Sequence, residues 1–480
     1  MNFYKTITTI ISIIMFNGVV QVQASETNAG QNSKNKPNLI VILTDDQGYK
    51  DVGFNGSTDI KTPFIDVIAN EGTIFTNGYV TFPVCGPSRA GLLTGRYQGR
   101  FGFTSNPSPA PDADVGLPSS EKTIAEVLKP AGYTSGILGK WHMGGHADYH
   151  PNNRGFDYFF GFVEGGHRYF PEELTITDFS EVTKWSGWYY TKLMRNQERI
   201  ETTEYLTDEL SNEAVKFIER EKDNPFFLFV SYNAPHAPLQ ATEKYLNRYK
   251  HIKDKKRQTY AAMVSAVDDG VGEILKTLEK QGIDDNTIVF FLSDNGGPET
   301  KNASDNGELR EGKGSLFEGG VRVPFAMRWP EKIPQGQVYT NAVSSLDILA
   351  TIVGQADVDT SKNKPLDGVD LTPYLTGEND GLPHDALYWR HLRKDGQAVI
   401  ANHNKMINLK NKKFLYDVAN DVGETESLGS DNDTYKELNA GYQEWLKEMK
   451  PTAFVTLLEY KKIWLKQQKS KKNKNKKTKP

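Results

Sequence analysis

Four short apolar runs punctuate the chain: Asn38 to Leu43 (NLIVIL), Thr134 to Gly139 (TSGILG), Phe226 to Val230 (FFLFV) and Thr287 to Leu292 (TIVFFL). Runs of this length without polar alternation predict strands covered on both faces, as in a parallel sheet. Between them stand segments whose apolar residues recur at helical spacing: PFIDVIANEG, KTIAEVLKPAG, TEYLTDELSNEAVKFIEREK and QTYAAMVSAVDDGVGEILKTLEKQG. Strands alternating with helices predict an α/β fold, a doubly wound and mostly parallel sheet flanked by helices, over residues 38–382. From about Pro383 the pattern shortens to ALYWRHL, AVIANH, MINLKN and FLYDVAN, followed by one amphipathic stretch, TYKELNAGYQEWLKEM. That predicts a smaller C-terminal antiparallel sheet with a helix against it, over residues 383–460. No internal repeat is present.

Composition changes this picture only at the ends. With 480 residues, 37% hydrophobic and 25% charged, the chain has material for one large or two unequal domains, and neither a disordered chain nor a membrane bundle is indicated. Lys5 precedes an apolar run (ITTIISIIMFNGVV) that is short, interrupted by polar residues and closed by Ala24. Residues 1–24 are therefore expected to be a secretory signal, a buried N-terminal helix being the alternative. Residues 25–37 then form a polar linker, and the protein is exported, periplasmic or secreted to the cell surface, with no transmembrane segment after cleavage. At the other end, residues 461–480 carry ten lysines and no acid, so the rest of the chain stands at −4 − 10 = −14. Such a tail is expected to be disordered and solvated; a polyanion such as a sulfated polysaccharide or a cell surface is its functional alternative. No nucleic-acid partner is expected.

The candidate chemistry collects where the apolar runs stop. The first ends in Asp45 and Asp46, the second in Lys140, Trp141 and His142, the third in a loop reaching His236, and the fourth in Asp294 and Asn295 before two glycines. In open α/β sheets ligands gather at the carboxyl ends of strands, so these residues are expected to share one crevice. Acids and amides at two strand ends suit a hard cation. The lone cysteine, Cys85, excludes an intramolecular disulfide and opens the stretch CGPSRAGLLTG, which places it at a predicted helix N-terminus with Arg89 one turn on. A buried, inert thiol is the ordinary alternative. A glycine-rich loop, LREGKGSLFEGGVRVP, offers Lys313.

Cys-x-Pro-Ser-Arg continued as x-x-Leu-Leu-Thr-Gly resembles the signature of the type I sulfatases, the formylglycine-dependent branch of the alkaline phosphatase superfamily. Cys85, Pro87, Ser88, Arg89, Leu92, Leu93, Thr94 and Gly95 all match. The Gly-Lys-Gly and Glu-Gly-Gly pattern around Lys313 is also similar to the family, and the resemblance spans roughly residues 37 to 450. It implies a C-terminal subdomain and a sulfuric ester hydrolase whose Cys85 is oxidised to 3-oxoalanine (formylglycine) by a formylglycine-generating or sulfatase-maturating enzyme. It further implies one calcium ion, Ca2+, held by Asp45, Asp46, Asp294, Asn295 and the modified Cys85. The implied roles are Arg89 holding the aldehyde hydrate, Lys140 and Lys313 gripping sulfate, His236 protonating the leaving oxygen and His142 assisting release from a sulfo-enzyme intermediate.

The substrate implied is a sulfated polysaccharide or oligosaccharide of the algal galactan (carrageenan), ulvan or glycosaminoglycan class. His146, His150, His167 and Arg168, in an aromatic and basic loop, are the candidate substrate contacts; plain aromatic packing is the other reading of that loop. Two further readings stay open: a formylglycine-dependent phosphonate or phosphodiester hydrolase, and a non-catalytic polysaccharide-binding protein if Cys85 stays a thiol.

Overall fold

The structure, a computed structural model, describes residues 36–477. The expected signal segment and most of the linker lie outside the described residues.

Strand Asn38–Thr44 lies inside a ten-stranded sheet. It pairs in parallel with Thr287–Ser293 on one side and Phe226–Ser231 on the other, and Thr134–Lys140 follows in parallel beyond. These are the four apolar runs, each extended by one residue. They stand side by side and point the same way, so Asp45, Asp294, the loop after Ser231 and the loop after Lys140 emerge along one edge. Tyr158–Phe162 continues the parallel block beside Thr134–Lys140, and antiparallel pairing enters on either side of it: Phe325–Arg328 against Thr287–Ser293, and Met194–Arg195 against Tyr158–Phe162.

Leu39 to Leu43 have no exposed surface. Because strand side chains alternate, Ile40 and Ile42 enter one core and Leu39, Val41 and Leu43 enter another. The first core is closed by helices Leu206–Glu221 and Lys255–Gln281, the second by Cys85–Thr94, Ile124–Leu128 and Asp347–Gln355. Fully burying each such side chain contributes about 1.5–3 kcal/mol, which makes this strand a firmly held base for the residues at its end. The longest of these helices starts at Asp254, whose side chain accepts from the N–H groups of Lys256 and Arg257, and stops at Gly282 in the left-handed region (φ 67).

The C-terminal prediction holds in outline. Leu387–His391, Gly396–Ala401, Asn404–Leu409 and Lys412–Asp417 form an antiparallel sheet in chain order. One face carries helix Asp433–Leu446 through Tyr435, Leu438 and Tyr442. The other, through Trp389, Ile407 and Tyr416, packs on Leu316, Phe317 and Val321 of the loop that bears Lys313.

The expectation of a disordered tail over residues 461–480 is corrected as far as Lys477, the last described residue. Leu457–Lys477 is a helix. Lysine, glutamine and leucine are good helix formers, and Tyr460 and Trp464, four residues apart, pack against Trp185 and Trp188, giving the helix an inner face among its charges.

Candidate active site

Val84 is extended (φ −147, ψ 140) and Cys85 is the first residue of helix Cys85–Thr94, all ten residues of which are buried. A helix buried on every side cannot be strongly amphipathic, and small residues let it in: a Cβ on Gly91 would lie 2.4 Å from Thr81 Oγ1. The Gly86 N–H donates to Asn106 Oδ1 (3.0 Å), and Gly95, at φ 62, ends the helix. Cys85 therefore stands at a fixed helix start facing the sheet edge.

Asp45, Asp46, Cys85 and Asp294 converge there, each offering a ligand atom within 4.8 Å of the others, and all four are buried. Cys85 Sγ lies 3.4 Å from Asp45 Oδ1. Asp46 reaches the group from a left-handed backbone (φ 66), its N–H donating to Asp294 Oδ1 (3.3 Å). Asn295 donates from Nδ2 to Asp46 Oδ1 (2.7 Å), while its Oδ1 is buried without a partner.

Three cations balance the three carboxylates. Arg89 Nε donates to Asp294 Oδ2 (2.8 Å). Lys140 Nζ donates to Asp45 Oδ2 (2.6 Å), and Lys313 Nζ to Asp46 Oδ1 (2.5 Å). Burial opposes the charge on Asp45, but Lys140, His236 and Arg89 outweigh it and hold its carboxyl below the usual range. Burial and then the Asp45 charge push Asp294 up to about 6, and burial pushes the Cys85 thiol up to about 12.

The donor set fits a hard cation: three carboxylates and one amide oxygen that finds no other partner. A divalent ion added to three acids and three bases leaves the site positive, which suits an anionic ester.

The two histidines face the same space. His236 Nε2 is 3.6 Å from Asp46 Oδ2 and its Nδ1 is 2.6 Å from the Ala237 carbonyl oxygen. Burial lowers its pKa, against the pull of Asp45 and Asp46. His142, in the left-handed region (φ 59), is pushed well down by burial and then by Lys140, and its Nδ1 is buried without a partner. Gly165 makes room for it, since a Cβ there would lie 2.5 Å from His142 Nε2.

Cys85, His142, His236 and Lys313 line a cavity of about 140 Å³ together with Asn106, Pro107, Pro109, Gly165, Gly166, Trp185, Trp188, Tyr189 and Leu457. Trp185, Trp188 and Tyr189 were carried by a visible cluster, WSGWYY, whose place in the site only the tertiary fold shows. Asn106 sits in a loop without periodicity.

None of the four candidate substrate contacts lines this cavity. His167 is buried, stacked on Phe162 (4.5 Å between ring centres), its Nε2 3.3 Å from Thr191 Oγ1. His150 is packed edge-on against Phe159, and its Nδ1 accepts from the Asn152 N–H. His146 caps a short turn through Asp148. Arg168 lies over the Tyr190 ring and pairs with Glu173 (3.2 Å). These four side chains are engaged with the loop's own backbone and neighbouring rings and acids, while His150 Nε2 is buried without a partner.

The loop carrying Lys313 is tied down by a buried charge cluster. Lys405 Nζ, from the C-terminal sheet, lies 2.6 Å from Glu318 and 3.1 Å from Glu424, and the Tyr79 hydroxyl donates to Glu318 Oε2 (2.9 Å). All three charged groups are fully buried, so the pairing must be retained intact.

The chain is similar to known proteins over most of its length. The sulfatase family matches residues 37–358, and the C-terminal family of N-sulphoglucosamine sulphohydrolase matches residues 312–452. An uncharacterized sulfatase of Escherichia coli (strain K12) is 33% identical over 456 residues, covering 80% of this chain and 77% of that protein. N-acetylgalactosamine-6-sulfatase of Homo sapiens is 36% identical over 354 residues, covering 71% of this chain and 66% of that protein. Among solved structures, Ps i-CgsB in complex with k-i-k-neocarrahexaose is similar at 39% identity and a TM-score of 0.83, over 87% of this chain and 94% of that one.

Proposed function

The chain belongs to the sulfatase family and is a sulfuric ester hydrolase, and from that premise we propose that it desulfates a sulfated polysaccharide or oligosaccharide through a formylglycine formed at Cys85. A carrageenan-type galactan is the first substrate class, because a structure 39% identical holds a neocarrahexaose. The observation that carries the reading is the position of Cys85 Sγ, 3.0 Å from Lys313 Nζ and 3.4 Å from Asp45 Oδ1, in one cavity with His142 and His236.

The residues sort by role. Asp45, Asp46, Asp294 and Asn295, with residue 85, would hold one calcium ion, which supplies charge stabilisation at the nucleophile. An aldehyde hydrate at residue 85 would supply one hydroxyl for attack and a second for release of sulfate. Arg89 orients residue 85 from the next turn while anchored on Asp294. Lys140 and Lys313 neutralise the non-bridging oxygens of the ester as point charges. His236, whose Nδ1–H donates to the Ala237 carbonyl, presents Nε2, which is the proton donor to the departing sugar oxygen when the ring is the imidazolium, the form that the Asp45 and Asp46 charges favour against burial. His142, with an unpartnered ring nitrogen, takes up the proton that release of sulfate requires. Lys140 and Asp45 are fully buried and Asp294 and His142 nearly so, which keeps bulk water from screening these charges.

A formylglycine hydrolase of phosphonates or phosphodiesters remains the second reading in kind. The similarity to the phosphonate monoester hydrolase of Agrobacterium radiobacter, at 21% identity, extends to the fold alone. Export is supported by the expected signal segment and by a polymeric substrate. The deciding experiment couples two measurements on enzyme made with a maturation enzyme present: the mass of the tryptic peptide containing residue 85, and release of sulfate or phosphate from carrageenan oligosaccharides, an aryl sulfate and a phosphate diester. The aldehyde mass with sulfate release from the oligosaccharide is expected. An unmodified thiol in active enzyme, or a clear preference for the phosphate diester, overturns the proposal.

A further inference from the structure

The lysine-rich helix starts at the reaction cavity. Leu457 lines that cavity, and its N–H donates to the Asn106 carbonyl (3.1 Å), the residue whose side chain accepts from Gly86 beside Cys85. One turn on, the Tyr460 hydroxyl donates to Asp112 (3.1 Å). Trp464 then joins Trp185 and Trp188 in an aromatic cluster, with ring centres 5.9 and 6.4 Å away. Trp185 and Trp188 are themselves cavity wall. Lys461 Nζ stands 5.4 Å over the Trp185 ring, and Lys462, Lys466 and Lys469 are exposed along the helix.

We propose that this helix is a polysaccharide-binding arm, whose lysines hold the sulfated chain beyond the unit that occupies the cavity. The inference rests on the reading of the substrate as a sulfated polysaccharide. A cavity of about 140 Å³ accommodates one small sulfated unit, so the remainder of a polymer must lie on the surface around the mouth. There it meets the half-buried rings of Trp185 and Trp464, and then a helix of 21 residues, on the order of 30 Å long, in a region that carries ten lysines and no acid after Tyr460. The rest of the chain is acidic at −14, so it repels a polyanion everywhere except where basic groups are concentrated. An anionic membrane is the other polyanion that such a helix could meet. Its root in the cavity wall favours the substrate.

The test is a full-length variant in which all ten lysines after Tyr460 are changed to glutamine (Lys461→Gln and its nine counterparts), which preserves helix propensity. Wild type and variant are compared by retardation in gels containing carrageenan at low and high salt. Their kcat/KM is measured on polymeric carrageenan and on a small aryl sulfate. Several surface charge contacts of ordinary strength combine to about tenfold, so at least that loss of carrageenan affinity is expected at low salt, shrinking at high salt. The loss of kcat/KM on polymer should exceed the loss on aryl sulfate by a similar factor. Unchanged retardation, or equal losses on both substrates, overturns the arm, as does lysine-dependent binding to phosphatidylglycerol vesicles with carrageenan retardation intact. If wild type releases no sulfate from any polysaccharide but retardation still depends on the lysines, the proposed function fails and the arm stands.

Discussion

Lys313 Nζ stands 3.0 Å from Cys85 Sγ, although 228 residues separate them in the chain. The loop that spans this contact is fixed from behind by Lys405, Glu318 and Glu424, so the ammonium is a placed charge rather than a wandering one. Lys313→Ala should cost about 10²–10³ in kcat/KM, the scale for removing one preorganised charge contact from a reacting oxyanion. The charge acts on the sulfate and not on what leaves, so an aryl sulfate and a sulfated oligosaccharide should lose alike. Kinetics on both substrates check it; a loss confined to one would move Lys313 out of sulfate binding.

Asp45, Asp46 and Asp294 crowd three carboxylates into one buried group, with Asn295 Oδ1 left without a partner. A divalent ion that binds the folded protein there stabilises it by mass action, by about 2.7 kcal/mol at a hundred times its Kd. Calcium added to chelator-treated protein should raise Tm, and Asp294→Asn should lose most of that rise while staying folded. An identical calcium response in the variant would place the ion elsewhere.

How much of this was legible beforehand depended on whether the signal was local. The run Thr287 to Leu292 reads as a buried strand because both faces are covered, and Asp294 follows from where such strands end. Cys85 at a helix start and Arg89 one turn on follow from helical spacing, while their chemistry comes only from the resemblance of CGPSRAGLLTG to a family signature. His167 could not be placed that way: its ring stacks on Phe162 and reaches Thr191, partners that only the tertiary fold supplies. Trp185 and Leu457 are 272 residues apart and meet only across the cavity mouth. The inner face of the last helix rests on Tyr460 and Trp464, and the lysines around them hide that periodicity.

His384 Nε2 lies 2.8 Å from Asp347 Oδ1, at the first residue of the helix Asp347–Gln355. Burial lowers the histidine pKa, but Asp347 outweighs it and the net shift is upward. A folded-state pKa above the unfolded value gives stability that is fully present below about pH 6.5 and is lost as pH rises through the folded value. His384→Gln should therefore destabilise by about 1.5–3 kcal/mol at pH 6 and by less at pH 9. Denaturant midpoints of both proteins at the two pH values check this, and an equal cost at both would mean that the imidazole is neutral in the fold.

The assignment of His236 as proton donor has the widest reach, because it decides which esters the enzyme can cleave. Nδ1 is engaged by the Ala237 carbonyl, which leaves Nε2, 3.6 Å from Asp46, as the nitrogen that can face a leaving oxygen. A sugar alkoxide needs that proton, whereas an activated phenolate departs without it. General acid catalysis is worth about 10²–10⁴, so His236→Ala should lose that much more kcat/KM on a sulfated oligosaccharide than on an aryl sulfate. His142→Ala, acting on release of sulfate common to both substrates, should show no such split. Equal losses in the His236 variant would make it a sulfate-binding residue and leave His142, the other histidine lining the cavity, as the acid to test.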